Sequence, residues 1–210
     1  MSNLVIIGAG GHGKVVADAA LLSKNWEAIV FYDDSFPKIR SVGNLQIVGK
    51  VKDLLEASHN SSSVSVVVAI GNNHVRYKIY NELLEKGYSL PVILHPSSII
   101  SSSAKIGAGS VVLAGAVVNA DAIIHASCII NSNAVIEHDC VINDGAHICP
   151  GSLLAGGVYI GKYSWIGIGA TVIQSVNIGD NVVVGAGAVV LNALPSFVTA
   201  VGVPAKIIKY

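Results

Sequence analysis

Residues 110–148 read SVVLAGAVVNADAIIHASCIINSNAVIEHDCVINDGAHI, and the fold of the chain is decided there. Stepping by six through and beyond this stretch meets Ile106, Val112, Val118, Ile124, Ile130, Ile136, Ile142, Ile148, Leu154, Ile160, Ile166, Val172, Ile178, Val184 and Val190, fifteen aliphatic residues without exception. Two positions before each stands a small or modest residue, as at Ala116, Cys128, Ala134, Cys140 and Ser152, and glycine follows the aliphatic position at 107, 161, 167, 179 and 185. A six-residue period of this kind describes a parallel β-helix, with one short strand and one turn per hexad and three hexads per coil. The aliphatic side chain points inward and stacks on its equivalent one coil away, and the small residue fits the corner. Fifteen hexads predict five coils, a prism roughly 24 Å tall at the usual strand spacing of about 4.8 Å. The outward residues one position earlier, Val111, Val117, Ile123, Ile129 and Val135 among them, make flat aliphatic faces. Such faces predict self-association as a trimer, with grooves between neighbouring prisms.

The bulk numbers narrow the class of function. A chain of 210 residues that is 52% hydrophobic has ample apolar content for a buried core. Thirteen Lys and Arg balance thirteen Asp and Glu, so no global field steers it to nucleic acid or to an anionic membrane, and any anionic ligand must be held locally. MSNLVIIGAGGHGK at residues 1–14 has no basic leader, and its apolar run is too short for a signal peptide or a spanning helix. The expectation is a soluble cytoplasmic protein. Cys128, Cys140 and Cys149 are odd in number and match no CxxC pattern, so they are read as small buried thiols, not as a disulfide framework, a zinc site or acyl carriers.

Residues 1–94 follow different rules. LVIIGAGGHGKVVADAALL is a strand, a Gly-rich turn and a helix; EAIVFYDD is a second strand ending in two acids; VSVVVAIG is a third, followed by the amphipathic NNHVRYKIYNELLEKG. Strands alternating with helices predict a small parallel α/β domain over 1–94, ahead of the β-helix over 95–198 and a tail over 199–210. Gly8, Gly10 and Gly13 form GxGxxG between strand and helix, and Asp33 or Asp34 lies at the end of the next strand. That context suits a phosphate on the helix N-terminus, within the turn Gly10, Gly11, His12, Gly13 and Lys14, with an acid accepting from a ribose. Fewer than 95 residues provide about half of a doubly wound sheet, so a mononucleotide or nucleotide sugar suits the domain better than a dinucleotide. Asn72, Asn73 and Arg76 follow the third strand at the same sheet edge, with Arg76 a candidate partner for a diphosphate.

Within the hexads, charge is scarce, which makes EHD at 137–139 conspicuous. His138 lies two positions after inward Ile136, at a turn and pointing outward, and Asp139 is its neighbouring carboxylate. An imidazole oriented by a carboxylate takes a proton from an amine or hydroxyl. His147 directly precedes inward Ile148 and is expected to face outward as well. His125 raises the number of imidazoles to three, but the spacing argues against a metal site. His59, His74 and His95 carry no distinct signal. After the last hexad, GVPAK at 202–206 reads as a loop leaving the prism to cover a groove.

The hexad array with GVPAK resembles the left-handed β-helix acyltransferases, which use acetyl-CoA. GAGGHGKVVAD, FYDD and AIGNNHVRYKI narrow the resemblance to the sugar acyltransferase family that includes sialic acid O-acetyltransferases (NeuD type) and UDP-4-amino-sugar N-acetyltransferases of bacillosamine synthesis (PglD type). The resemblance covers essentially the whole chain and implies a left-handed winding and a homotrimer. It implies His138 as general base, polarised by Asp139, where some relatives carry the longer Glu. It further implies His147 near the acetyl-CoA thioester, and Gly156, Gly157, Gly167, Gly185, Pro204 and Lys206 along the CoA groove. The turn Gly10–Lys14, Asp33 or Asp34, and Asn72, Asn73 and Arg76 match the part that receives a UDP-sugar. The expected reaction is direct transfer from acetyl-CoA to the 4-amino group of a UDP-linked amino-dideoxy sugar, without a metal. The rival readings are sugar O-acetylation, a zinc-dependent carbonic anhydrase of γ type, and a nucleotide-sensing β-helix without chemistry.

Overall fold

The computed structural model describes residues 2–57 and 64–209, and His59 lies outside the described residues. It divides into two compact units, 1–96 and 97–210. In the first unit the elements run β1 (Ser2–Ile7), α1 (Gly11–Ser23), β2 (Trp26–Tyr32), β3 (Ser41–Val42), β4 (Leu45–Gly49), α2 (Val51–Glu56), β5 (Val64–Val68) and α3 (Asn73–Glu85). Leu4, Val5, Ile6 and Ile7 are all buried, because β1 is an inner strand covered on both faces, as parallel strands of α/β layers are. It pairs in parallel with β2 and β5. β3 and β4 form an antiparallel hairpin whose second strand pairs with β2, giving the order β3-β4-β2-β1-β5. The apolar runs do not predict this hairpin or α2. The available cue is Gly43-Asn44, a two-residue turn between two short runs.

In the second unit the strands from Ile99–Ile100 to Val189–Val190 are two residues long, and each pairs in register with a strand 18 residues away, as Val117 with Val135 and Val135 with Leu153. The sheets so formed are the three faces of a prism. The period-six residues fill it: Val112, Ile130, Ile148, Ile166 and Val184 stack along one face and are at most 1% exposed. Ile99–Ile100 pairs with Val117–Val118, so the array begins one hexad before Ile106. At the other end Thr199–Val201 pairs in parallel with Val183–Val184, and Lys206–Lys209 returns antiparallel to it. Among the outward residues Val111 and Ile129 are buried, Val117, Ile123 and Val135 are half-buried, and Ile99 and Leu153 are 65% and 44% exposed.

Two regularities of the prism lie outside the aliphatic period. Three positions after each inward residue from Ile106 to Val184 the backbone turns left-handed: Gly109, Gly115, Asp121, Ser127, Asn133, Asp139, Gly145, Gly151, Gly157, Tyr163, Gly169, Ser175, Asn181 and Gly187 have φ between 55° and 68°. A side chain there costs about 1–2 kcal/mol, which explains the preference for Gly and for short polar residues that bond locally. The small corner residues also do more than fit. Ser110 and Ser152 donate to the carbonyls of His125 and Gly167 at 2.8 Å, Ser164 to Gly179 at 2.7 Å, and the Cys128 and Cys140 thiols to Asn143 and Ala155 at 3.1 and 3.2 Å. None of the three cysteines is in a disulfide and all are buried, and burial pushes the Cys149 thiol up to about 12.

Ile148 is fully buried between Ile130 and Ile166 in this stack. Ile148→Ala is expected to lower unfolding stability by about 2–5 kcal/mol, since neighbouring coils cannot close on the cavity without breaking register. Urea unfolding followed by far-UV circular dichroism checks it; a loss under about 1 kcal/mol would show that the stack relaxes more readily than a rigid prism allows.

Candidate active site

His138 stands on the corner that joins Val135–Ile136 to Val141–Ile142. Its turn is pinned to the coils on either side: the Asp139 N–H donates to the Ala120 carbonyl at 3.1 Å, and the His138 carbonyl accepts from the Gly157 N–H at 2.8 Å. Asp139 takes the left-handed position of the turn, with φ 59°, and its Oδ2 lies 2.8 Å from His138 Nδ1. The shorter Asp therefore reaches the ring. A carboxylate only accepts, so Nδ1 carries the proton and Nε2 keeps a lone pair at the ring's outer end. The hydrogen bond to Asp139 raises the His138 pKa above its ordinary value, with the Asp139 and Glu137 charges adding to it. The pair is exposed, with side chains 62% and 65% accessible. Gly156 lies across from the ring: a Cβ built there would stand 2.5 Å from His138 Cε1 and Nε2. Gly156 therefore serves the histidine, a role its place in a CoA groove did not predict.

His147 occupies the outward register position, yet the residue is only 6% exposed. It sits in a column between Ile129 and Trp165, 18 residues to either side, with the His147 and Trp165 ring centroids 4.4 Å apart. Asn131 Nδ2 lies 3.1 Å from His147 Nε2. His147 is on the sheet of Val111, Ile129, Trp165 and Val183, whereas His138 is on the corner joining the other two sheets. One protomer thus does not bring the two histidines together. The predicted CoA glycines divide likewise: Gly156 and Gly157 share the corner of His138, and Gly167 and Gly185 follow the sheet of His147. The tail holding Pro204 is fixed on Val189, which donates to the Gly202 carbonyl at 3.0 Å and accepts from the Ala205 N–H at 2.8 Å. Lys206 begins the terminal strand and is exposed. Among the described residues no group of three or more His, Cys, Asp or Glu is placed to hold a metal ion.

In the α/β unit, the Gly-rich turn is built for contact between backbones. A side chain on Gly13 would collide with the Gly8 carbonyl, so α1 packs directly on the end of β1. Gly10 caps α1 without a side-chain hydrogen bond, and Gly10 and Gly11 are both exposed at the helix N-terminus, a place suited to a phosphate. Asp33 Oδ2 accepts from the Ala9 N–H at 2.7 Å and Oδ1 from Ser35 at 2.8 Å. Burial pushes this carboxyl up, but those hydrogen bonds outweigh it and hold the pKa below its ordinary value. Asp34 accepts from Val51 at 3.2 Å and so tethers α2. Lys14 lines two neighbouring cavities, one of about 260 Å³ beside Ala9 and Ser35 and one of about 480 Å³ under the hairpin, walled by Leu21, Phe31 and Leu45.

Arg76 departs from expectation. It is 1% exposed, and its guanidinium donates to the carbonyls of Ile70 and Gly71 at 3.0 and 3.2 Å and to Asn73 Oδ1 at 3.0 Å. It is spent on bracing the turn after β5 and is not presented to a diphosphate. Asn72 caps α3 by accepting from Val75 at 3.0 Å. His12 is held neutral, its pKa lowered to about 4 by burial and by the Arg76 charge. Lys14, at the end of GxGxxGK, lines both cavities at this end of the sheet.

Comparison with known proteins agrees with both units. The PglD N-terminal domain family matches residues 3–83, and the bacterial transferase hexapeptide (six repeats) family matches residues 121–156 and 157–192. The prism is accordingly a left-handed parallel β-helix. The chain is 39% identical over 110 residues, 52% of its length, to the UDP-N-acetylbacillosamine N-acetyltransferase of Bacillus subtilis. It spans 50% of that curated relative, and 19% of a Buchnera aphidicola serine acetyltransferase matched over 50 residues. Among solved structures, the acetyltransferase domain of PglB from Neisseria gonorrhoeae in complex with acetyl coenzyme A is similar at TM-score 0.94 and 41% identity, covering 98% of each chain. PerB from Caulobacter crescentus, in complex with CoA and GDP-perosamine, is similar at TM-score 0.89 and 38% identity, covering 99% of this chain and 97% of that one.

The His138 environment is testable without any substrate. Asp139→Asn replaces the accepting carboxylate, so the NMR titration midpoint of His138 is expected to fall toward the ordinary histidine value. Gly156→Ala is expected to lower it too, because the new methyl displaces the ring from Asp139. A midpoint unmoved in both variants would show that neither group sets the base.

Proposed function

We propose that this chain, which belongs to the family of hexapeptide-repeat sugar acyltransferases with a PglD-type N-terminal domain, transfers the acetyl group of acetyl-CoA to the 4-amino group of a UDP-linked amino-dideoxy sugar. The observation that carries the reading is the His138–Asp139 pair, with Nδ1 tied to a carboxylate at 2.8 Å and Nε2 left as the accepting atom. The names of its relatives support the substrate class, since one acts on a UDP-linked amino sugar and another binds CoA with GDP-perosamine.

In the proposed reaction the amine nitrogen attacks the thioester carbonyl carbon while His138 Nε2 takes its proton. The resulting oxyanion collapses, the C–S bond breaks and His138 returns the proton to the departing thiolate. Asp139 keeps the imidazole oriented and stabilises it while it is charged. A protonated His138 cannot act as base, so turnover rises as pH passes upward through its raised pKa. A donor in the groove, a backbone N–H or His147, stabilises the oxyanion. Because a protomer holds the two histidines on different sides of the prism, a His147 at the groove beside His138 belongs to a second copy, and the exposed Ile99 and Leu153 give the copies an apolar face to share. In the α/β unit the N–H groups at the start of α1 and Lys14 receive the diphosphate, and Asp33 lies where a ribose is placed in such sheets. Consumption of acetyl-CoA and a nucleotide sugar suits a cytoplasmic homotrimer. No helix among the described residues is long and apolar enough to cross a membrane.

The test is CoA thiol release from acetyl-CoA with a UDP-4-amino-dideoxy sugar, its GDP-linked counterpart and free sialic acid. Release with the UDP sugar, preferred over the other two, is the expected outcome; release with sialic acid alone would move the enzyme to O-acetylation. His138→Ala is expected to retain about 1% of kcat/KM or less, since general-base assistance is worth about 10²–10⁴-fold. Activity within a few-fold of wild type in a folded His138→Ala protein would remove His138 from the mechanism.

A further inference from the structure

We infer that Arg76 is a positioning residue for the nucleotide: its buried guanidinium draws the carbonyls of Ile70 and Gly71 inward and so turns the N–H groups of Gly71 and Asn72 outward, as donors to the diphosphate. The ligand rests on the function proposed above, whereas the direction of the two N–H groups follows from the backbone itself.

A guanidinium carries donors only. Nη1 of Arg76 donates to the Ile70 oxygen at 3.0 Å and to the Gly71 oxygen at 3.2 Å, while Nη2 donates to Asn73 Oδ1 at 3.0 Å. One planar group, 1% exposed, thus fixes two consecutive peptides from beneath. A trans peptide sets its C=O and its N–H on opposite sides, and neither of these two bonds is cis. The Gly71 N–H shares a peptide with the Ile70 oxygen, and the Asn72 N–H shares one with the Gly71 oxygen. With both oxygens held on the guanidinium, both N–H groups point away from it.

Neither N–H meets an acceptor among the described residues. Asn72 is exposed and Gly71 half-buried, and beyond its chain neighbours no atom lies within 4 Å of where a Gly71 side chain would begin. The turn therefore has room beside it. Its place is also fixed: β5 pairs with β1, and a Cβ built on Gly8 would stand 2.9 Å from the Ala69 oxygen and 3.1 Å from Ile70 Cγ1. The turns after the two strands touch, and the Arg76 charge is felt by His12 in the Gly-rich turn. Gly71 and Asn72 accordingly stand near the exposed N-terminus of α1, at the sheet edge where ligands of open α/β sheets bind. One phosphoryl group on α1 and the next on the turn after β5 gives a diphosphate backbone donors on both sides. The guanidinium polarises the two peptides it holds, which strengthens their N–H groups as donors while the charged side chain stays in the core.

The experiment titrates the full ¹⁵N-labelled chain with UDP and with uridine, following the amide signals of Gly71 and Asn72 and taking affinities from the shifts. UDP is expected to move both signals strongly and uridine only slightly. Arg76→Met is expected to weaken UDP binding by about 10- to 100-fold and uridine binding by less than about threefold. A brace that serves stability alone would weaken both ligands alike, so equal losses, or no loss, overturn the role of Arg76. Asn72→Pro against Asn72→Ala decides the matter if Arg76→Met does not fold. Both variants lose the side-chain cap of α3, and the Asn72 φ of −68° suits proline, so the comparison isolates the N–H. UDP affinity at least about tenfold lower with proline than with alanine is expected, and equal affinities overturn the inference. UDP binding that leaves the Gly71 and Asn72 signals unmoved overturns the inference alone. Wild-type protein that binds neither UDP nor GDP overturns the nucleotide reading of the α/β unit, and the inference with it.

Discussion

In a β-helix of hexads every residue rests on the one 18 positions away, and that vertical constraint governs the rest of this molecule. The inward column must be aliphatic and of nearly constant size, because a misfit in one coil is transmitted to the next through two-residue strands with no slack in register. The corner column must be small, and where it is Ser or Cys its polar hydrogen is used on a carbonyl 15 residues on. The same vertical relation places Gly156 beside His138 and Trp165 beside His147. Neither pairing is local in sequence, and both follow from adding 18.

Chemistry in such a scaffold is confined to the turns and the outward face. Turn residues lie outside the stack, so a turn can carry Glu137, His138 and Asp139 in an otherwise apolar run without disturbing the interior. The left-handed position adds its own selection: Asp139 stands where the backbone disfavours most side chains and where Asp is among the better tolerated. A local hydrogen bond to the preceding imidazole helps to offset that conformational cost. The carboxylate and the imidazole are consecutive residues, yet the reversal of the chain lets their ends meet at 2.8 Å.

The fold was legible because fifteen aliphatic residues at one period leave little alternative. His138 and Asp139 were legible because charge in an apolar turn has few structural reasons. What escaped depends on three-dimensional neighbours. Gly156 has the look of any turn glycine until the ring of His138 is seen across from it. Arg76 has the sequence signature of an exposed cation at a helix start, but α3 turns it inward onto the carbonyls of Ile70 and Gly71. His147 was placed on the correct side of its strand, and only the coils on either side determine that this outward position is covered. The left-handed turn position was visible all along as a column of Gly, Asn, Asp and Ser, but its meaning is a backbone angle, which the aliphatic period does not report.

The two histidines show how little chemistry separates opposite roles. Asn131 and Asp139 are nearly the same size and both occupy turns of the prism. One offers only lone pairs and the other, with its oxygen already bonded to Ser132, offers only protons. An acceptor at Nδ1 turns an imidazole into a base at Nε2, and a donor at Nε2 turns it into a donor at Nδ1. Transfer of an acyl group needs one of each: a lone pair for the proton leaving the nucleophile and a proton facing the developing oxyanion. The fold gives these two rings partners of opposite kind, Asp139 at His138 Nδ1 and Asn131 at His147 Nε2.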